Sequence, residues 1–443
     1  MTETGIDRKK NRFDFDRHTP EYRLALAHIA SEMQGRCPIA WSETYGGHFV
    51  AAGHHEVFEV ARAAGYVSNE YNPEKGRYGI LVPGPEIRGG AGFLEMDPPK
   101  QRHYRQALNP YLSPAAVSRW LPVVDEVVRA CIDEKIESGR IDFVDDLANI
   151  VPAVMTMGLL GFPLANYDIY VEPTHASVYL RPDSPEMRAV RLKQEEMFGD
   201  MVAQLHEIKE ADGPPGLVHA LVNATVDGGT PPDREIVGVI GLLIGGGFDT
   251  TTALTAHSLE WLGAHPAERS RLSSGRDTLL DSATEEFLRF YTPAPGDART
   301  VTSSCEIAGQ RFDEGDRVWV SWAMANRDAS VFPNPHEIDL ARTGNRHLGF
   351  GIGIHRCIGS NVARVVFKRM LLGVLDRLPD YVCDSSATVH YDTIGVINGM
   401  KNLPATFTPG RRLGPGLAPT LQMLQDRVDH EGLAEPVTRG GTA

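Results

Sequence analysis

The chain is poor in cysteine, with five among 443 residues, at positions 37, 131, 305, 357 and 383. The set is odd in number, widely spaced and without C-x-x-C pairs, so a reducing cytoplasm fits better than a disulfide framework. The sequence also lacks a run of about 20 consecutive apolar residues and an apolar signal region at its N-terminus. These absences predict a soluble, cytoplasmic protein that is not anchored in a membrane.

Positive charge is also scarce. The chain has 44 Lys and Arg against 58 Asp and Glu, a net charge of −14. This balance argues against nucleic acid and anionic lipid as partners. The 42% of hydrophobic residues is ample for a large core. Length alone allows two or three domains, but no linker or internal repeat divides the chain before its C-terminal tail.

The most informative stretch is residues 347–359, a loop that holds four glycines and one cysteine. Glycine permits positive φ and lets backbone lie close against something flat and wide. Cys357 falls just before a helix that begins at Ser360, and a helix dipole stabilises a thiolate by about 0.3–1 kcal/mol, less than one pKa unit. A bound metal would complete the ionisation. The alternative is a buried, inert thiol.

The pattern F-G-x-G-x-H-x-C-x-G, Phe350 to Gly359, resembles the haem-binding loop of the cytochrome P-450 (haem-thiolate) family, soluble bacterial type. The resemblance implies that Cys357 is the axial ligand of the iron of haem b (iron protoporphyrin IX), with Phe350 and Gly351 beside the cofactor. A thiolate ligand favours O–O cleavage.

The resemblance also implies a fold that is mainly α with a smaller β portion. This fold is a triangular prism with the haem between the oxygen-binding helix and the helix after the cysteine loop. It spans a single domain, residues 1–409, of which 1–12 are expected to be flexible. Residues 410–443 form a tail for which the sequence suggests no function, with one helix around 420–428.

A second motif lies in the helix predicted from Pro232 to Ala264. Glycines 245–247 stand mid-helix, where each costs about 0.8–1 kcal/mol relative to alanine. The acid Asp249 beside Thr250 adds a burial cost. Stability alone would not select this stretch, although close helix packing through glycine is an alternative explanation.

These residues match the family's A/G-G-x-D/E-T motif. Thr250 can hydrogen bond back to the carbonyl of Gly246 and bend the helix, which would open a notch for dioxygen. The resemblance implies that Asp249 and Thr250 are catalytic and deliver protons to the oxygen.

Further family positions concern the haem carboxylates. Arg105, Arg299 and His355 stand where the resemblance implies contacts to the propionates, which suit guanidinium groups. Gln101 replaces the histidine that is common in the family, so its cofactor contact is a departure from the pattern. His103 lies nearby in sequence but on a different helical face.

The E-x-x-R motif is present as Glu286 and Arg289, and Arg342 matches the third member of the family's buried cluster. Breaking a buried ion pair costs about 3–5 kcal/mol. We therefore assign these three residues to the stability of the fold and not to catalysis.

The predicted substrate pocket is apolar, as small-molecule sites usually are. Residues 67–95 would form its roof, or alternatively a mobile surface loop. The resemblance suggests the following lining residues: Ile80, Leu81, Val82, Leu242, Leu243, Pro295, Val396 and Ile397.

Two electrons must reach the haem from outside, which implies a ferredoxin-type partner with its reductase and NAD(P)H. The basic residues expected on the cysteine side of the haem are Arg102, Arg105, Arg356, Arg364 and Lys368. They would dock an acidic ferredoxin, unless they are only solvated helix charges. We expect the protein to be a monomer.

The leading functional hypothesis is a monooxygenase that uses dioxygen to hydroxylate, epoxidise or dealkylate an apolar small molecule. A second is a haem-thiolate oxidase that performs coupling, desaturation or dehydration without oxygen insertion. A third, from another class, is a haem sensor or ligand-binding protein, which would not need Asp249 beside Thr250. The sequence does not identify the substrate.

Overall fold

The structure, a computed structural model, describes residues 9–83, 91–180, 184–210 and 215–437. Most of the segment predicted to be flexible, residues 1–12, lies outside these ranges. Within them the chain is mainly helical with a smaller β portion, as predicted.

Sixteen α-helices occur among the described residues. Their bounds are α1 Pro20–Arg36, α2 His54–Arg62, α3 Lys100–Leu108, α4 Pro114–Ser118, α5 Leu121–Lys135, α6 Ile150–Leu160, α7 Tyr167–Tyr179, α8 Pro185–Glu210, α9 Leu217–Val222, α10 Asp233–Gly247, α11 Asp249–Ala264, α12 Pro266–Ser274, α13 Arg276–Tyr291, α14 Trp322–Ala325, α15 Ser360–Arg377 and α16 Leu417–Glu431.

The strands of the described residues are short. They are β1 Ile39–Ser42, β2 His48–Ala51, β3 Val67–Ser68, β4 Tyr71–Asn72, β5 Arg77–Tyr78, β6 Arg140–Asp142, β7 Asp297–Val301, β8 Cys305–Ile307, β9 Gln310–Phe312, β10 Arg317–Val320, β11 Val382–Cys383, β12 Val389–His390, β13 Met400–Asn402 and β14 Pro404–Thr406. The largest sheet has the order β1-β2-β10-β7-β3, and a second has the order β11-β14-β6. Strands β1 and β2 form an antiparallel hairpin whose connection contains Gly46 and Gly47.

The main core lies between the central helices. Every residue of α6 from Val151 to Leu160 is buried, because this helix has neighbours on all sides, and α15 contacts both α5 and α11. A second cluster fills the space under the five-stranded sheet, around Phe49 and Val318. The core therefore surrounds α10 and α11, which carry the glycine–acid motif, and the start of α15, which directly follows the cysteine loop.

One helical run among the described residues, Asp233–Ala264, is long and apolar enough to cross a membrane by length and composition. Its most apolar 18-residue window has a mean hydropathy of 1.5, and 56% of that window is buried inside the protein. This run comprises α10 and α11, so its apolar character belongs to the protein core.

The C-terminal segment is folded as far as residue 437. Helix α16 is longer than predicted and packs against α5, and Leu421 and Leu424 join the main core. Arg129 on α5 donates to the carbonyl oxygen of Pro415, 2.9 Å away. Residues 410–437 therefore contribute to the same core as the rest of the chain.

Candidate active site

The cysteine loop has the backbone that its glycines predict. Gly351 and Gly353 adopt φ of +63° and +78°. A Cβ on Gly353 would also lie 2.9 Å from the carbonyl oxygen of Ala61, so the loop contacts α2 closely. The amide of Cys357 donates to the carbonyl oxygen of Phe350 at 2.8 Å, and this bond closes the loop three residues before α15 begins.

The Cys357 side chain is exposed although protein atoms crowd around it, so the sulfur faces a space within the protein. Burial raises the pKa of this thiol, and the amide of Gly359 and the guanidinium groups of Arg105, Arg356 and Arg364 only partly oppose that rise. The protein alone therefore does not ionise the sulfur, which agrees with the expectation that a metal must do so.

Three cationic or basic side chains meet near this loop. Burial, followed by the positive charges of Arg299 and Arg105, lowers the pKa of His355 to about 3. Arg299 is 2% exposed, and its Nη2 lies 3.7 Å from Asp297, its nearest recorded carboxylate. The guanidinium group of Arg105 has no hydrogen bond or ion pair within the described residues. Such a concentration of positive charge suits a ligand that carries carboxylates.

Gln101 is buried, and its Nε2 donates to the carbonyl oxygen of Ile354 at 2.8 Å. The residue thus ties α3 to the cysteine loop, and its predicted contact with the cofactor stays a prediction. His103 points elsewhere, with its Nδ1 3.4 Å from a carboxylate oxygen of Asp227. This placement confirms that His103 lies on a different helical face.

The predicted helix 232–264 is two helices that meet at Phe248, where φ is −88° and ψ is −78°. The predicted hydrogen bond is present, with Thr250 Oγ1 donating to the carbonyl oxygen of Gly246 at 2.9 Å. The prediction of a continuous bent helix is wrong in one respect, since the break is sharp enough to end α10 and begin α11.

The three glycines at this break serve different purposes. A Cβ on Gly247 would lie 2.7 Å from Oγ1 of Thr156, so this glycine permits close helix packing. Gly245 and Gly246 are exposed, and a Cβ on either would meet no atom within 4 Å. Open space beside two mid-helix glycines leaves room for a bound group.

Asp249 is 3% exposed and has two partners that the sequence did not reveal. Its Oδ1 lies 2.6 Å from Nδ1 of His175 on α7. The hydroxyl of Tyr391, next to β12, donates to the same carboxylate at 2.9 and 3.1 Å. The sequence has no local pattern that indicates this cluster, because His175 and Tyr391 are 74 and 142 residues away from Asp249 along the chain.

The structure brings Glu286, Arg289 and Arg342 together. Arg289 binds both carboxylate oxygens of Glu286 at 2.8 Å, and Nε of Arg342 lies 2.9 Å from Oε2. Glu286 and Arg289 are fully buried, and Arg289 also donates to the carbonyl oxygens of residues 326, 335 and 337. This cluster therefore holds several loops near the cysteine loop.

The predicted pocket residues have different surroundings. Val82 is buried in the packed cluster beneath α1, with Tyr22 and Leu26, and its pocket role stays a prediction. Pro295 is also buried, whereas Val396 is 43% exposed. The remaining candidates, Ile80, Leu81, Leu242, Leu243 and Ile397, are partly buried, and their pocket role stays a prediction.

The basic residues predicted for docking are not equally available. Arg364 is bound by both carboxylate oxygens of Glu285 at 2.6 and 2.7 Å, and Lys368 is paired with Asp281. Arg105 is half-buried, and its positive charge acts on Cys357. Only Arg102 and Arg356 among the five are exposed and without an ion pair recorded in the described ranges. The predicted patch is therefore smaller than the sequence suggested.

These features fit a haem-thiolate group. The candidate metal ligand is the sulfur of Cys357, which faces open space at the end of the glycine-rich loop. Arg105 and Arg299 supply positive charge for carboxylates, the neutral imidazole of His355 can donate a hydrogen bond to them, and Gly245 and Gly246 leave room beside α10.

Comparison with known proteins supports this interpretation. The family model for cytochrome P450 matches residues 166–379. Linalool 8-monooxygenase of Pseudomonas putida is 29% identical over 399 residues, covering 86% of this chain and 95% of that protein. Cytochrome P450 monooxygenase PikC of Streptomyces venezuelae is 32% identical over 328 residues, 73% of this chain and 77% of that protein.

Solved structures show the same fold. The Mycobacterium marinum cytochrome P450 CYP268A2, in complex with pseudoionone, superposes with a TM-score of 0.79 at 24% identity, covering 88% of this chain and 98% of that one. The chain belongs to the cytochrome P450 family. It is a P450 monooxygenase, an oxidoreductase that uses a haem-thiolate cofactor.

Proposed function

We propose that the protein inserts one atom of dioxygen into an apolar small molecule, using two electrons from a ferredoxin-type partner, its reductase and NAD(P)H. The observation that carries this proposal is the helix break at Phe248, where Thr250 is bonded to Gly246 and the buried acid Asp249 lies beside it. A haem sensor would have no use for this acid–alcohol pair.

The cofactor we propose is haem b, whose iron Cys357 would bind and whose carboxylates Arg105, Arg299 and His355 would hold. When bound, the haem-thiolate group supplies the redox chemistry that activates dioxygen. The cysteine loop would present the sulfur to this group and keep its hydrogen bond from the amide of Gly359. Positive charge around the carboxylates fixes the orientation of the group.

Asp249 and Thr250 handle protons in this proposal. Thr250 Oγ1 has one hydrogen, which it donates to Gly246 in the resting structure, and lone pairs that can accept another. To relay a proton the hydroxyl would turn away from Gly246, accept a proton from the side of Asp249 and release its own, and then return to the Gly246 carbonyl. The buried side chain of Asp249 is the donor for this step once its carboxylate has itself received a proton.

For the substrate we propose an open-chain, mainly apolar compound of terpenoid size. Linalool 8-monooxygenase, which this chain resembles over 95% of its length, is named for such a substrate. The partly buried candidates around Leu242 and Ile397 are apolar and suit it. We propose that the enzyme acts as a monomer.

Two measurements test the proposed function. The reduced protein with carbon monoxide should show the absorption band typical of thiolate coordination, and a band typical of imidazole coordination would contradict the assignment of Cys357. A panel of terpenoids, headed by linalool, should then include compounds that shift the iron from low to high spin. Labelled dioxygen in the product would confirm insertion, and its absence would favour an oxidase that couples or desaturates.

A further inference from the structure

The contact between His175 and Asp249 contains a shared proton. Nδ1 of His175 and Oδ1 of Asp249 are 2.6 Å apart, and two lone pairs at that distance would repel each other. A hydrogen must therefore lie between them, on the nitrogen or on the oxygen. This is the geometry of a proton donor and its acceptor.

Tyr391 limits the alternatives. Its hydroxyl is within 3.1 Å of both carboxylate oxygens and 3.0 Å from Nδ1 of His175, but it has only one hydrogen to donate. If Tyr391 donated to Nδ1, the short contact between His175 and Asp249 would still need a hydrogen of its own. The arrangement that satisfies all three groups has Tyr391 donating to Asp249 and Nδ1–H of His175 doing the same.

The other ring nitrogen of His175 is open. Nε2 is buried and has no hydrogen-bond partner in the described part of the chain. A neutral imidazole that carries its hydrogen on Nδ1 has a lone pair on Nε2, which can accept a proton. Acceptance at Nε2 lets Nδ1 release its hydrogen to Asp249, so one proton enters and one leaves, and the charge balances.

An exposed acidic side chain is among the charged groups near this imidazole. Asp145, in the turn between β6 and α6, is exposed and close enough to His175 for their charges to interact. An exposed carboxylate exchanges protons with water directly. Oδ2 of Asp145 accepts from Nδ2 of Asn402 at 3.4 Å, and Asn402 is on β13, which pairs with β12 beside Tyr391. His175 thus has an exposed carboxylate near it and a buried carboxylate bonded to it.

We propose that His175 is the proton donor to Asp249, that it is resupplied from the side of Asp145, and that Tyr391 is a positioning residue for the Asp249 carboxylate. The proposal rests on the proposed function, since it extends the acid–alcohol pair outward to the surface. It also gives α7 a part in the chemistry, because His175 on α7 can donate to Asp249 on α11 only while the two side chains stay in contact.

The test uses holoenzyme variants with an excess of a surrogate ferredoxin, its reductase and NADPH, and needs no substrate. His175→Asn keeps an N–H near the position of Nδ1 but cannot relay a proton. We expect about a tenfold or greater fall in NADPH oxidation, because a positioned proton donor typically contributes 10²–10⁴-fold. The fraction of dioxygen released as hydrogen peroxide should rise, and the solvent deuterium isotope effect should change.

Three companion variants make the outcome decisive. Asp145→Asn should lower the rate in the same direction, whereas Asp168→Asn, an exposed acid on the same helix as His175, should not. Tyr391→Phe should have the smaller effect, since His175 still donates. Wild-type rate, peroxide fraction and isotope effect in His175→Asn would overturn the relay, and the same result for Asp145→Asn would overturn its outer half.

The variant Asp249→Asn distinguishes a failure of the relay through His175 from a failure of the proposed function. If Asp249→Asn is impaired and His175→Asn is not, the role of Asp249 is correctly assigned and proton transfer through His175 is contradicted. If Asp249→Asn itself behaves as the wild type, the roles of Asp249 and Thr250 are wrongly assigned, and the relay through His175 is contradicted as well.

Discussion

The hydroxyl of Thr250 donates to the carbonyl oxygen of Gly246 at 2.9 Å, across the point where α10 ends and α11 begins. This bond removes an acceptor that the next turn of a regular helix would use. The break at Phe248 and the open space beside Gly245 and Gly246 occur at the same place. One side chain therefore connects the local backbone geometry to the position of a hydroxyl that can carry protons.

Removal of this hydroxyl should uncouple the reaction. In Thr250→Ala we expect haem and substrate to bind as before, while product formed per NAD(P)H falls by about tenfold or more and hydrogen peroxide rises. Thr250→Ser keeps the hydroxyl and should restore most of the coupling. Unchanged coupling in Thr250→Ala would mean that the proton path uses other residues.

Haem retention should depend on Arg299. A hydrogen bond to a charged group contributes about 1.5–3 kcal/mol, so Arg299→Gln should speed haem loss by about tenfold or more. Transfer of haem to apomyoglobin, followed by absorbance, measures this rate. Arg311→Gln is the matched control, since that side chain is 66% exposed. Equal rates of haem loss in the two variants would remove Arg299 from the carboxylate site.

The sequence predicted the features that depend on local pattern. Glycines at 351 and 353 marked positive φ, and the spacing of Thr250 from Gly246 predicted their hydrogen bond. Contacts between distant segments could not be predicted in this way, and His175 and Tyr391 are the clearest cases. The packing of Val82 against α1 could not be predicted for the same reason, because the sequence alone does not distinguish an apolar residue that packs under a helix from one that lines a pocket.

The buried cluster around Glu286 should be essential for stability. Glu286→Gln leaves two buried guanidinium groups without their carboxylate, and we expect a loss of about 3–5 kcal/mol in the free energy of unfolding, measured with urea. Glu268→Gln breaks an i,i+3 pair with Arg271 that is largely exposed and should cost about 0–1 kcal/mol. Similar losses in both variants would contradict the structural role of the cluster.

Acid should weaken the contact between α13 and α15. Burial opposes the ionisation of Glu285, but hydrogen bonds from Arg364 and His347 outweigh it and lower its pKa to about 2. A carboxyl whose pKa is lower in the folded state stabilises the fold above its unfolded pKa and loses that contribution as the pH falls toward 2. We expect on the order of 1–3 kcal/mol from this group above pH ~5.

Urea unfolding between pH 5 and pH 3 measures that contribution. Glu285→Gln should be less stable than the wild type at pH 6, and its stability should vary less with pH over this range. Asp281→Asn is a suitable control, since that side chain is 88% exposed on the same helix. A parallel pH dependence in the wild type and Glu285→Gln would contradict the assigned ion pair.

Electron delivery should depend on Arg102 and Arg356 more than on Lys368. The two arginines are exposed and lack a recorded ion pair, whereas Asp281 already neutralises Lys368. Charge reversal at Arg102 or Arg356 should slow reduction by an acidic ferredoxin at low salt, and the difference from wild type should shrink as ionic strength rises, because salt screens exposed charges over about 10 Å at 0.1 M. Lys368→Glu should have the smaller effect. Stopped-flow reduction under carbon monoxide measures these rates, and a wild-type rate independent of ionic strength would place the ferredoxin elsewhere on the surface.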